Sequence, residues 1–317
     1  MQKNRRDFIK KLGLSLGVAS LSKLDSFGLL AEKPWFEISL AEWSLHKAIF
    51  SDKLDNLDFP AKTKNEFGIE IVEYVNTCFK SKTKTFKENG ASSVYLAELL
   101  KRCKDNGVRN HLIMCDAEGN LGEAELAKRI KTVENHYKWV EAAKYLGCKT
   151  IRVNAGGIGS AEEVAKNAAD GLHKLGEFAA KTNINVIVEN HGSFSSNAKW
   201  LSGVMKAVNL KNVGTLPDFG NFCIERDKTD GKMCKVEYDR YLGVEELMPF
   251  AKGVSAKSNN FKENGDEHGM DYVRLMQIVK NSGFKGIVGI EYEGEKLSEE
   301  EGIIATLKLL KKIRGDK

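Results

Sequence analysis

The chain has 317 residues, of which 42% are hydrophobic and 29% are charged, and it contains four prolines. This composition excludes a disordered or fibrous protein, and the length allows one large domain or two ordinary ones. The formal net charge at pH 7 is +5. Whether this charge indicates a nucleic-acid partner depends on where the basic residues lie in the chain.

Two adjacent arginines stand near the start of the chain, in QKNRRDFIKK, and a modest apolar stretch, LGLSLGVASLSKL, follows them. A charged start before a short apolar segment resembles a bacterial twin-arginine export signal. At about 13 residues, the stretch is too short for a stable membrane-spanning helix. We therefore predict an export signal over residues 1–31 that is removed, and a periplasmic protein without a stable membrane span. A basic amphipathic helix packed on the domain is the alternative.

Most of the positive charge lies in this predicted signal, which has six basic and two acidic residues. The signal carries +4 of the formal +5, which leaves +1 for residues 32–317. A nucleic-acid-binding surface requires clustered basic side chains. We therefore expect no nucleic-acid partner.

Eight runs of the chain have the apolar, β-branched composition of buried strands. Their first residues lie 28 to 41 positions apart, which is the spacing of a strand plus a crossover helix. The predicted strands are 37–42, 69–75, 108–114, 149–153, 185–189, 213–217, 252–257 and 287–291.

Helical periodicity fills the gaps between these runs, with apolar residues three and four positions apart. Gly107, Gly147 and Gly283 each follow a helical stretch, where a left-handed capping residue is expected. Eight strand–helix alternations predict a single (β/α)8 TIM barrel over residues 32–317, and no composition break divides it. The predicted helices are 93–106, 123–146, 160–182, 197–209, 240–250, 270–281 and 298–314.

Three carboxylates stand where predicted strands end: Glu189 in NVIVENHG, Asp218 in VGTLPDFGNF and Glu291 in GIVGIEYEG. In a parallel barrel the carboxyl ends of all strands meet at one face, so we expect these acids to converge there. Clustered carboxylates repel one another unless a cation or a proton lies among them. The pattern indicates a metal-assisted or acid/base enzyme. The alternatives are that Asp218 caps a turn and that Glu291 is a structural ion-pair partner.

Other polar and aromatic residues follow the predicted strands and are expected at the same face. We predict that they contact the substrate, the two histidines through hydrogen bonds and the tryptophan through ring stacking, with packing in the core as the alternative for the tryptophan. These predicted substrate-binding residues are Trp43, His46, Asn154, His191, Asn221 and Lys257.

The order of four segments, VIVENHG, TLPDFGN, GVSAKS and GIEYEG, resembles the sugar phosphate isomerase/epimerase family of the xylose isomerase-like TIM barrels. The resemblance covers nearly the whole chain from SLAEWSLHK onward. Members of that family bind a divalent metal through Glu, Asp, His and Glu. The resemblance therefore implies metal ligation by Glu189, Asp218 and Glu291, with Ser255 at the position of the histidine. A second frequent family histidine falls on Asn221.

The three acids suit this chemistry in their own right. Isomerising or epimerising a sugar beside its keto group requires the removal and return of a weakly acidic C–H proton. We predict that Glu189 and Glu291 perform this proton transfer and that Asp218 acts as a ligand only. A divalent metal would stabilise the enediolate, and oxygen ligands favour Mn²⁺ or Mg²⁺. Lys257 could supply that positive charge instead, or bind an oxygen of the substrate.

The same residues are compatible with other functions. The same site could serve a keto-sugar or glycoside lyase or hydrolase, and a barrel without catalysis could bind sugars. A phosphodiesterase of the endonuclease IV type would need several histidine ligands and a basic face, which six histidines and a charge of +1 disfavour. The partner is therefore expected to be a small carbohydrate, and the sequence indicates no oligomeric state.

The cysteines and two further histidines carry no recognised motif. The six cysteines show no CxxC or zinc-ribbon spacing, and proteins exported by the twin-arginine route fold in a reducing compartment, so most should be buried thiols. His136 and His173 fall in helical stretches, where we expect solvated side chains.

Overall fold

The computed structural model of the chain describes residues 34–79, 93–227 and 233–316. The predicted export signal, residues 1–31, lies outside the described residues and stays a prediction. A compact unit, Trp35–Lys317, contains all the elements described below. Within the described residues, no helix has the length and apolar character needed to cross a membrane.

Eight parallel strands form the barrel, and they confirm the predicted strands with shifts of a residue or two at their ends. They are β1 (Glu37–Ala41), β2 (Ile71–Val75), β3 (Arg109–Met114), β4 (Thr150–Val153), β5 (Asn185–Glu189), β6 (Val213–Leu216), β9 (Val254–Ser258) and β10 (Ile287–Tyr292), numbered together with the hairpin strands β7 (Cys223–Arg226) and β8 (Cys234–Glu237).

The hydrogen-bonded order of the barrel strands is β6-β5-β4-β3-β2-β1-β10-β9. Two isolated parallel bridges, Thr215 to Ala251 and Asp218 to Ser255, link the ends of this order and bring the barrel to near closure. Every residue of β2 and β9 is buried, as expected for strands covered by helices on one face and by the barrel interior on the other. The predicted TIM barrel is therefore confirmed.

Helices pack around the strands, and all seven predicted helices are present among the described residues. Two short helices near the start of the barrel were not predicted. Gly147 ends one long helix with φ of 79°, which a residue with a side chain adopts only under strain. The helices are α1 (His46–Phe50), α2 (Phe59–Phe67), α3 (Ser93–Asp105), α4 (Leu126–Leu146), α5 (Ala161–Ala180), α6 (Ala198–Val208), α7 (Arg240–Leu247), α8 (Tyr272–Asn281) and α9 (Glu299–Arg314).

The antiparallel hairpin of β7 and β8 interrupts the alternation and was not predicted. A disulfide between Cys223 and Cys234 joins its two strands. The four other cysteines are buried thiols, in agreement with the expectation that most cysteines are not paired. The expectation for His136 is wrong: its side chain is buried in α4, with Nδ1 2.7 Å from the carbonyl oxygen of Thr132.

Candidate functional site

Three carboxylates converge at the carboxyl end of the barrel, as predicted. Glu189 is the last residue of β5, Asp218 follows β6 by two positions, and Glu291 lies near the end of β10. The three residues are 2%, 0% and 4% exposed, so all three are shielded from solvent. One oxygen from each lies within 4.8 Å of the others. The three predicted acids therefore form one buried cluster.

Asp218 is held in place by three hydrogen bonds. Its Oδ1 accepts the backbone N–H groups of Gly220 and Asn221, both at 2.8 Å, as in a turn-capping aspartate. Its Oδ2 accepts the hydroxyl of Ser255 at 2.6 Å. Asp218 therefore caps a turn, as the alternative interpretation expected, and its carboxylate also belongs to the cluster.

Ser255 lies between two members of the cluster. Its hydroxyl is 2.6 Å from Oδ2 of Asp218 and 3.2 Å from Oε2 of Glu291. The side chain at the position where the family resemblance predicts a histidine is therefore in contact with two of the three acids. A hydroxyl can donate to only one of these oxygens at a time, which leaves the other available to a cation.

Lys257 places a buried ammonium group beside the cluster. Its Nζ is 3.2 Å from Oε1 of Glu291 and 3.3 Å from Oε2 of Glu293, and it donates to Oδ1 of Asn221 at 3.3 Å. Burial alone would lower the pKa of Lys257, but Asp218, Glu291 and Glu293 outweigh burial and raise this pKa well above its usual value. Lys257 is therefore a buried cation of the site.

Arg152, in the middle of β4, is a second buried cation that the sequence analysis missed. Its guanidinium donates to Oδ1 of Asp116 at 2.6 Å, and its Nε lies 2.9 Å from Oε2 of Glu189. The contact with Glu189 is a charge contact rather than an aligned hydrogen bond. Burial opposes the charge of Arg152, but Glu189 and Asp116 more than compensate and raise its pKa. An arginine inside the predicted buried strand KTIRV was the signal that could have revealed it.

Two of the carboxylates, Glu189 and Asp218, bind protons more tightly than usual. Burial raises the pKa of Glu189 to about 7, although Arg152 opposes this shift. Burial likewise raises the pKa of Asp218 to about 7, with Lys257 opposing it. A carboxyl group whose pKa is raised toward neutrality is suited to general acid–base catalysis.

A polar cavity of about 390 Å³ opens at the same end of the barrel, beside β4 and β5. Asn154 and His191, both predicted to bind substrate, line it together with Asn120, Ser193 and Ser195. Asn154 also donates to Oδ1 of Asp116 at 3.2 Å, which connects the cavity to the ion pair of Arg152. Amide, hydroxyl and imidazole groups are suited to sugar hydroxyls, since they both donate and accept hydrogen bonds.

The remaining predicted residues contact the cluster or the side chains next to it. Asn221 donates to Oε1 of Glu189 at 2.9 Å. The indole of Trp43 donates to Oε1 of Glu293 at 2.6 Å and stacks on His46, with ring centroids 4.6 Å apart. Glu293 thus links Trp43 to Lys257, so these residues adjoin the cluster rather than the cavity.

The donor set of the cluster fits a hard divalent cation. Three carboxylates offer oxygen atoms close enough to share one ion, and oxygen ligation suits Mg²⁺ or Mn²⁺. The three buried negative charges exceed the two buried positive charges of Arg152 and Lys257. Asp116 and Glu293, at the partly exposed edge, add further negative charge. The local charge balance therefore accommodates an added cation.

A family profile described as "Xylose isomerase-like TIM barrel" matches residues 64–313. A comparison with curated protein sequences gives no significant match.

Solved structures share the fold at low sequence identity. A sugar phosphate isomerase/epimerase from Parabacteroides distasonis ATCC 8503 is 17% identical over 88% of this chain and 95% of its own, with a TM-score of 0.64. D-psicose 3-epimerase from Clostridium cellulolyticum H10, solved with D-tagatose, is 12% identical over 88% and 99%, with a TM-score of 0.66. The IolI protein, solved with a zinc atom, is 14% identical over 88% and 98%, with a TM-score of 0.61.

Proposed function

Because this chain belongs to the xylose isomerase-like TIM barrel family, we propose that it isomerises or epimerises a sugar at the carbon beside its keto group. The observation that carries the proposal is the buried cluster of Glu189, Asp218 and Glu291 at the carboxyl end of the barrel. Structural neighbours that act on D-psicose and related sugars support the same class of substrate.

Glu189 and Glu291 are the proposed proton-transfer pair. They end two different strands, β5 and β10, so they can approach a bound sugar from different sides. One carboxylate removes the C–H proton beside the carbonyl, and the other returns a proton to the neighbouring carbon or to the opposite face of the same carbon. The raised pKa of Glu189 suits a group that both takes up and releases a proton.

Glu189, Asp218 and Glu291 would also hold the divalent metal, with Mn²⁺ or Mg²⁺ preferred for an all-oxygen site. When bound, such an ion supplies Lewis-acid stabilisation of the negative charge that develops on the substrate oxygens. Asp218 is suited to a purely ligating role because its carboxylate is fixed by the hydrogen bonds from Ser255, Gly220 and Asn221. The zinc atom in the structure of IolI, which shares the fold, supports a bound metal in this chain.

The substrate is proposed to bind between the cavity and the cluster. Asn154 and His191 would bind its hydroxyl groups, and Asn221 and Lys257 would contact the oxygens nearest the reacting carbon. Trp43 and His46 would form the edge of the site through Glu293.

We further propose that the protein works in the periplasm after twin-arginine export. The disulfide of Cys223 and Cys234 supports an oxidising compartment. An exported enzyme would encounter free sugars or glycosides rather than sugar phosphates.

The proposal is tested by incubating the purified protein in D₂O with D-psicose, D-tagatose, D-fructose and L-ribulose, with and without Mn²⁺. We expect deuterium at the carbon beside the carbonyl, and metal analysis should find one divalent ion per chain. Cleavage of the sugar or of a glycoside would support the lyase or hydrolase alternative instead. Binding without exchange would support a non-catalytic sugar-binding barrel.

A further inference from the structure

Each of the two proposed proton-transfer carboxylates contacts its own buried cation. Lys257 contacts Glu291 at 3.2 Å, and Arg152 contacts Glu189 at 2.9 Å. Each cation is also anchored by a second carboxylate whose side chain is partly exposed, Glu293 for Lys257 (31%) and Asp116 for Arg152 (29%). The site therefore contains two similar carboxylate–cation–carboxylate units.

We propose that Arg152 is the positioning residue of Glu189, which it holds in one orientation toward the substrate. This inference rests on the proposed function, in which Glu189 transfers a proton. Arg152 is assigned to act through Glu189 because its guanidinium contacts the carboxylates of Asp116 and Glu189.

Contacts at both carboxylate oxygens restrict the orientation of the Glu189 side chain. Oε2 faces Nε of Arg152 at 2.9 Å, and Oε1 accepts the amide N–H of Asn221 at 2.9 Å. The terminal torsion of a glutamate is intrinsically broad, so these two contacts are what restrict it. Loss of the guanidinium would leave Glu189 free to rotate about the remaining hydrogen bond.

Arg152 is itself rigidly held, which a positioning role requires. Its guanidinium donates to Asp116 at 2.6 Å. Asp116 is fixed in turn by Asn76, which accepts the backbone N–H of Asp116 and donates to its carbonyl oxygen, both at 2.8 Å. The extended guanidinium of arginine contacts both carboxylates at once, through a hydrogen bond to Asp116 and a charge contact with Glu189, whereas the compact ammonium of lysine cannot reproduce this geometry. The contacts run from the end of β2 to the end of β5.

The key variant is Arg152→Met, which removes the charge and keeps most of the buried chain. Arg152→Lys keeps the charge without the fork, and Asp116→Asn releases Arg152 from its second carboxylate. The matched control is Arg129→Met. Arg129 is also buried, at 8% exposed, and its Nε contacts Asp170 at 2.8 Å, outside the site.

The kinetic readout uses the keto-sugar that exchanges fastest in D₂O. We expect Arg152→Met to lower kcat about 100-fold, since an error of about 1 Å in the position of a reacting group has that effect, while KM changes less than about threefold. The kcat of Arg152→Lys should be about tenfold higher than that of Arg152→Met. Arg129→Met should lose comparable stability and keep its kcat. In a Glu189→Gln background, Arg152→Met should cause no further loss.

A crystal structure of Arg152→Met tests the positioning without any substrate. We expect the carboxylate of Glu189 to leave Asn221 or to occupy several rotamers, and the same carboxylate to stay in place in Arg129→Met. An unmoved Glu189, or an unchanged kcat in a folded Arg152→Met protein, would overturn the inference. If the wild type exchanges none of the sugars, the proposed function fails, and the position of Glu189 still decides the role of Arg152. Should Arg152→Met not fold, Asp116→Asn and Arg152→Lys are judged by the same two measurements.

Discussion

The hydroxyl of Ser255 donates to Oδ2 of Asp218 at 2.6 Å across the closure of the barrel. The backbones of the same two residues form one of the two bridges that join β6 to β9. The same pair of residues therefore contributes to the site through its side chains and to the closure of the barrel through its backbone. The stability of the barrel and the state of the carboxylate cluster should consequently be linked.

Ser255→Ala tests this link. The change removes the hydroxyl that donates to Oδ2 of Asp218, so we expect the free energy of unfolding to fall by about 1–3 kcal/mol. A divalent ion would compensate for the lost donor, so Mn²⁺ should stabilise Ser255→Ala more than the wild type. Thermal unfolding with and without Mn²⁺ measures both effects.

The matched control for this variant is Ser39→Ala. Ser39 donates to Glu73 in an equally short buried hydrogen bond of 2.6 Å, but neither residue belongs to the carboxylate cluster. Ser39→Ala should be destabilised without being rescued by Mn²⁺. Equal rescue of the two variants would contradict the assignment of the metal to Glu189, Asp218 and Glu291.

Lys257→Met should increase the affinity for Mn²⁺. The ammonium of Lys257 lies 3.2 Å from Glu291, so it repels an incoming cation and shares the negative charge that the cation needs. Removing a like charge at such a distance should tighten binding by about tenfold or more. Isothermal titration calorimetry measures the change.

Lys252→Met serves as the control for the lysine variant. Lys252 is partly buried and donates to the carbonyl oxygen of Lys211, away from the cluster. Its replacement should leave Mn²⁺ affinity unaltered. An unchanged affinity in Lys257→Met would show that the ammonium and the ion do not share the carboxylates.

Glu189→Gln should abolish exchange while leaving the fold intact. The amide keeps the shape of the side chain and cannot accept the substrate proton, so the rate should fall by about 10²- to 10⁴-fold. Deuterium incorporation and the melting temperature are the two measurements. Glu118→Gln changes another carboxylate of this end of the barrel, one that accepts the indole N–H of Trp139, and should retain exchange. Full turnover by Glu189→Gln would refute its catalytic role.

Glu42 should make the stability of the protein depend on pH. Burial raises its pKa from 4.5 to about 8, against the opposing hydrogen bonds from Val75 and Asn56. Between these two pH values the folded carboxyl keeps its proton while the unfolded one ionises. The folded state then binds more protons, so the free energy of unfolding contributed by Glu42 is greatest below pH 4.5 and declines as the pH rises to about 8.

Glu42→Gln isolates this contribution. The difference in unfolding free energy between wild type and variant should change by about 1 kcal/mol per pH unit within the window and level off outside it. Urea unfolding at several pH values measures the difference. Glu141→Gln, which changes an exposed carboxylate, should give a difference that does not vary with pH. A constant difference for Glu42→Gln would contradict the raised pKa.

The hairpin of β7 and β8 shows where prediction from sequence failed. Its strands, CIER and CKVE, are half-exposed or exposed, so they lack the apolar runs that identified the barrel strands. A disulfide between residues 11 positions apart joins the two strands, and no cysteine motif in the sequence predicts this disulfide. The prediction for His136 was wrong for the opposite reason. This polar residue lies on a helix and is buried by tertiary packing, which the periodicity of the helix sequence does not reveal.

The sequence by itself determined the alternation of strands and helices and the position of Glu189, Asp218 and Glu291 at one end of the barrel. This was possible because parallel strands joined by helices all end at the same face, so the order along the chain is sufficient. Only the tertiary structure decided which cation meets which carboxylate. The pairs of Arg152 with Glu189 and of Lys257 with Glu291 join residues on adjacent strands, β4 with β5 and β9 with β10, at 2.9 and 3.2 Å. Contacts of this length depend on strand register and side-chain direction, which the packing of the whole barrel determines.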